Sequence, residues 1–130
     1  MKIIVFLLLV CLIVSCEDPG DRYVKRFDRV DIIKTSIPDT AINQKYFQIR
    51  AMAQADNGCW SHLYFELKKT KDFEYTLKAY GTFESFGTCS DRIVKEDTVI
   101  NFLPKQTGTY LFHISQQPDI EHTDTMIVVE

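Results

Sequence analysis

The chain has 130 residues, 45% of them hydrophobic and 25% charged, a balance that suits one globular domain with a modest core. Its formal net charge of -3 supplies no basic field, which argues against nucleic acid or an anionic lipid surface as an electrostatic partner. No Gly-x-Ser-x-Gly elbow, P-loop or dinucleotide fingerprint occurs, so the common enzyme classes that depend on them are excluded and no cofactor is expected.

The chain opens with Met1-Lys2 and an unbroken apolar run from Ile3 to Val14. A membrane-spanning helix needs about 20 apolar residues, and this run is well short of that, so it reads as the hydrophobic region of a signal peptide. Directly after it, Ile13-Val14-Ser15-Cys16 resembles the lipobox of bacterial lipoproteins. The resemblance implies cleavage after Ser15 and a diacylglyceryl group on the Cys16 thiol, with palmitate-type chains anchoring the protein to a membrane. An ordinary signal peptide followed by a coincidental cysteine is the competing reading. Glu17 and Asp18 resemble the acidic stretch that accompanies transport to the cell surface in lipoproteins of the Bacteroides group. The implied location is the bacterial cell envelope, at the outer membrane and its surface.

Charged residues with Pro19 and Gly20 and no periodicity follow, up to about Phe27, as expected for a tether. The expected organisation is therefore a signal peptide over residues 1–15, a lipidated tether over 16–27 and a folded domain over 28–130. Within that domain the apolar residues recur at period two, as in strands. Val30 to Ile33 supplies the first segment. Phe47, Ile49, Ala51 and Ala53 supply the second; Leu63, Phe65 and Leu67 the third; Phe73, Tyr75, Leu77 and Ala79 the fourth. Val99 to Leu103, Tyr110 to Ile114 and Thr125 to Val129 complete about seven strands, with no convincing helical period anywhere.

Seven short strands in about a hundred residues predict an all-β, antiparallel β-sandwich. The segment from Phe102-Leu103-Pro104 to Gly108-Thr109-Tyr110 resembles the tyrosine corner of immunoglobulin-like and fibronectin-like domains, although Gln106 stands near the place of the usual Asp. That resemblance implies a bond from the Tyr110 hydroxyl to backbone a few residues upstream. Asn57-Gly58-Cys59, Cys89 and the Pro104 to Tyr110 ending are also similar to elements of small Bacteroides-group lipoproteins, a likeness that implies no activity.

Four cysteines are present, of which Cys11 falls in the expected signal peptide and Cys16 is the one that the lipobox resemblance implies takes lipid. In an oxidising envelope the remaining two, Cys59 and Cys89, are expected to pair. A metal site or catalytic thiol is the alternative, but there is no Cys-x-x-Cys, and His62 is the only histidine near either cysteine in sequence. His62, His113 and His122 have no spacing that demands convergence on a metal, and none is expected. Glu66, Glu74, Glu84, Asp91, Glu96 and Asp97 are available as paired carboxylates, which keeps a small envelope hydrolase as the second reading. The first reading is a non-catalytic binding or accessory module for a protein or glycan partner.

Its binding hint lies in the aromatic residues. With Leu63, Phe65 and Leu67 facing a core, strand alternation puts Trp60, His62 and Tyr64 on the opposite face, and Tyr80 outward on a neighbouring strand. Trp60 has a competing role as cover for a disulfide at the adjoining Cys59. Phe86, in the loop of residues 83–88, is a further exposed aromatic candidate.

Overall fold

The computed structural model describes residues 22–117 and 119–130, so the expected signal peptide, Cys16 and the first part of the expected tether lie outside the described residues. The described residues form only strands and their connections. The strands are β1 (Val24–Ser36), β2 (Thr40–Ile42), β3 (Phe47–Ala55), β4 (Trp60–Lys71), β5 (Glu74–Ser85), β6 (Val94–Phe102), β7 (Gly108–Gln117) and β8 (Ile120–Val129). All-β is thus the fold class, with the short β2 as an eighth strand that period-two counting passed over. β1 begins at Val24, so residues 24–27 of the expected tether are strand and pair with residues 82–85 of β5.

The strands run in the order β2-β8-β7-β5-β1-β3-β6, with β4 paired to the other edge of β5. β4 also approaches β6, so the sheet curls into a half-barrel. Two of its pairs are parallel, β5 with β7 and β2 with β8, where the expected sandwich has antiparallel neighbours. The cause lies in β1 and β5. β1 pairs with β5 through Val30, then with β3 from Asp31, and an irregularity between Ile32 and Lys34 turns it from one to the other. Such a bulge bends a strand and increases its local twist. Because β1 leaves the edge of β5 at Ala79, the first residues of β5, Glu74 to Leu77, are open to pair with β7.

Alternation along these strands buries one face. β3 buries Ile49, Ala51, Ala53 and Ala55 while Gln48 and Arg50 stay exposed. β5 buries Leu77 and Ala79 on the same principle. The small residues of β3 and β5 leave room for Ile32 and for the half-buried Trp60, Leu63 and Phe65 of the covering strands. Gly81 takes this furthest, since a Cβ there would come within 2.9 Å of Leu63 and 3.2 Å of Trp60. A second cluster fills the other end with Ile49, Phe102, Tyr110, Phe112, Met126 and Val128.

The tyrosine-corner bond is present: the Tyr110 hydroxyl donates to the Gln106 carbonyl at 2.9 Å. Gly108 precedes it with φ of +145°, a conformation open chiefly to glycine, and a Cβ there would stand 3.1 Å from the Phe73 ring. Cys59 and Cys89 form a disulfide that ties the β3–β4 turn to the loop after β5. The two segments are also joined by a bond from the Gly58 amide to the Ser90 carbonyl at 2.8 Å.

Candidate functional site

Of the aromatic residues expected on one face of β4, only Tyr64 lies there with Tyr80 as its neighbour. Ser61 is opposite Thr82 and Tyr64 opposite Tyr80, so β4 spends one extra residue between them. His62, with φ of +50°, occupies the left-handed region within this bulge. An added residue reverses which face each preceding side chain takes. Trp60, opposite Phe83, therefore sits on the inner side of the sheet and packs against the core. It meets Phe83 edge-on at 5.4 Å, with the Arg26 guanidinium 4.3 Å from the Phe83 centroid. The expected Trp60-His62-Tyr64 row is thus corrected: Trp60 is half-buried against the core, and the exposed His62 turns at the bulge, its Nδ1 3.0 Å from the Ser61 hydroxyl.

Beyond the bulge the expected alternation holds. Leu63, Phe65 and Leu67 pack against the core, and Tyr64 is exposed. On the outer face Tyr64 joins Tyr80 of β5 and Phe27 of β1. The three ring centroids lie 5.5, 5.6 and 5.9 Å apart, with interplanar angles of 20°, 26° and 7°. Phe27 is 58% and Tyr64 43% exposed, so much of this stacked cluster faces solvent. Glu66 and Lys78, opposite one another, continue the face along β4 and β5, and Arg29 is opposite Tyr80. Partial desolvation and the negative charge of Glu66 push the Tyr64 hydroxyl above the usual tyrosine range, so it is a neutral donor and acceptor at pH 7. Phe27 was hidden at the end of the expected tether. The signal that could have found it is the alternation of Lys25, Phe27 and Arg29 with Arg26, Asp28 and Val30.

Phe86 lies apart from this cluster, in the loop after β5. It is 65% exposed and its ring lies 4.8 Å from that of Tyr23, whose hydroxyl donates to Glu84 at 2.7 Å. That hydrogen bond raises the Tyr23 pKa.

The three histidines occupy separate settings. His113 lies opposite in facing to the buried Phe112 and Ile114, with Glu121 at 3.2 Å and Glu74 at 3.6 Å. His122 is 2.8 Å from Asp124. Among the described residues no group of three or more His, Cys, Asp or Glu is placed to hold a metal ion. The candidate carboxylates are dispersed over β4, β5, the following loop and β6, and two of them are tied to cations: Glu84 to Lys25 at 3.9 Å and Glu74 to Lys71 at 3.6 Å.

Compared with known proteins, the chain matches no family model, no curated protein and no solved structure.

Proposed function

We propose that the protein is a lipid-anchored, non-catalytic binding module of a bacterial cell envelope that holds a glycan or protein partner on the outer face of β1, β5 and β4. The observation that carries this reading is the exposed, mutually stacked cluster of Phe27, Tyr64 and Tyr80. Aromatic rings give large contact area for little loss of side-chain freedom, and clustered exposed apolar surface marks interaction sites. The Tyr110 corner bond supports placing the domain near the immunoglobulin-like folds within this reading.

The anchor rests on the apolar run and the Ile13-Val14-Ser15-Cys16 motif. Each buried acyl methylene contributes about 0.8 kcal/mol, so two or more chains on Cys16 hold the domain at a bilayer. Cys16→Ser is expected to abolish incorporation of a labelled fatty acid in cells and to accumulate unprocessed precursor. Unchanged labelling overturns the anchor.

For the face, Tyr64→Ala is expected to change stability by less than about 0.5 kcal/mol, as exposed substitutions usually do. The same variant is expected to weaken capture on an array of polysaccharides and envelope proteins. A thermal melt shifted as far as that of Phe65→Ala, or unchanged capture of every target bound by the parent protein, removes the face from consideration.

A further inference from the structure

The end of the domain at which the chain enters carries exposed apolar side chains that lie outside both the core and the Phe27-Tyr64-Tyr80 cluster. β1 starts there at Val24, opposite Ser85 at the end of β5, and the β3–β4 turn and the loop of residues 86–93 lie at the same end. Phe86 is 65%, Ile93 52% and Tyr23 48% exposed, and the Tyr23 and Phe86 rings meet at 4.8 Å. We propose that this end docks on a lipid bilayer, with Phe86, Tyr23 and Ile93 at the headgroup level of zwitterionic phospholipid. The orientation rests on the lipid anchor at Cys16 put forward above, whereas the contact itself needs only the described residues.

Three observations favour a bilayer as the occupant. The first is reach. Cys16 and Arg22 are six residues apart, so the chain between them spans at most about 20 Å. β5 alone, with 12 residues, is roughly 40 Å long. With lipid on Cys16, the Val24 end is therefore the one held beside the membrane.

The second is the kind of surface. Aromatic side chains, tyrosine among them, collect at membrane–water interfaces, where the ring sits among headgroups and the polar tip stays wet. The loop that presents Phe86 is already held in place. The Cys59–Cys89 crosslink fastens it, the Gly58 amide donates to the Ser90 carbonyl at 2.8 Å, and the Gly87 amide donates to the Ser85 hydroxyl at 3.1 Å. A surface fixed in advance loses little freedom on docking.

The third is charge. Lys25 lies 3.9 Å from Glu84 and Arg26 3.9 Å from Asp28, while Arg22 and Arg92 are offset by Asp56 and Asp91 at the same end. With its charges balanced, this end has no field to draw it to anionic lipid, and apolar contact with neutral headgroups is what is left. Docking in this way leaves the Phe27-Tyr64-Tyr80 face free, since Phe27 is opposite Thr82, about 10 Å along β5 from Ser85.

The test uses the chain from residue 16 onward with Cys16→Ser, which keeps every strand and omits the lipid, so its outcome is separate from that of fatty-acid labelling. This protein is expected to co-float with phosphatidylcholine vesicles. Phe86→Ser is expected to lower the partition coefficient roughly tenfold, the scale of one ring withdrawn from an apolar surrounding, at an unchanged melting temperature. Ile93→Ser, in the same loop, gives a second measure of the loss should Phe86→Ser melt early. Adding phosphatidylglycerol to the vesicles is expected to change partition by less than about twofold. Trp60 is the only tryptophan, so Phe86→Trp and Tyr46→Trp each add one reporter; Tyr46 is 72% exposed before β3, at the opposite end of that strand from Ala55. Brominated phosphatidylcholine is expected to quench the added emission of Phe86→Trp and to leave that of Tyr46→Trp. No flotation, flotation that requires phosphatidylglycerol, partition unchanged in both serine variants, or equal quenching of the two reporters overturns the proposal. Flotation and selective quenching beside absent fatty-acid labelling remove the anchor and keep the docking end.

Discussion

Phe112→Ala is expected to destabilise the domain by about 3 to 5 kcal/mol, the range for deleting a buried phenylalanine. The Phe112 side chain is fully buried at the centre of the second cluster. Its ring stacks on Tyr75 at 5.7 Å and meets Phe102 edge-on at 5.5 Å, so removal leaves two rings without a partner as well as a void. Neighbours cannot readily collapse into that space, because Ile49, Met126 and Tyr110 are each held by strands of the same curled sheet. Since a domain of this size typically has 5 to 15 kcal/mol in total, the variant is expected to be partly unfolded well below the parent melting temperature. Urea titration of both proteins measures the loss. A value under about 1.5 kcal/mol means that the ring does not occupy a closed core.

Replacing Cys59 and Cys89 together by alanine is expected to cost roughly 3 to 4 kcal/mol on the chain-entropy argument for a loop of this length. The sequence separation is 30 residues, so the crosslink restricts a substantial part of the unfolded chain. In the folded state it fastens the loop of residues 86–93 to the turn that launches β4. The Glu84 amide also bonds to the Cys59 carbonyl at 2.9 Å, and the Cys59 amide to the Asn57 side chain at 3.1 Å. These bonds keep the turn close to β5 in the variant, so the expected result is a lowered melting temperature with the strand content retained. Melts with and without reductant, beside thiol titration under denaturing conditions, decide it. Reactive thiols at Cys59 and Cys89 in unreduced protein, or a melt insensitive to reductant, contradict the crosslink.

Much of what faces inward was legible before any strand was paired. Period-two alternation identified Leu63, Phe65 and Leu67 as core and put Tyr80 outside. That works because successive side chains of a strand point to opposite faces, whichever neighbour the strand later finds. The Cys59–Cys89 bridge followed from the compartment implied by the signal and from the count of cysteines left over. The Tyr110 bond was legible because it spans only four residues.

The outer cluster was decided by tertiary structure. Phe27, Tyr64 and Tyr80 come from three strands, and their meeting depends on β1 choosing the edge of β5 over residues 79–85. Local pattern carries no information on that choice, since register is set by how whole faces pack. Trp60 makes the same point within one strand. Its spacing from Tyr64 put both on one face, but the bulge at His62 reversed Trp60, which fills the space over Gly81 and beside Phe83. Composition and alternation by themselves determined that this chain forms strands and which side chains those strands bury. Which strands became neighbours, and so which exposed rings and charges met, was decided only when a bent β1 and a β5 shared among β1, β4 and β7 closed the sheet around its core.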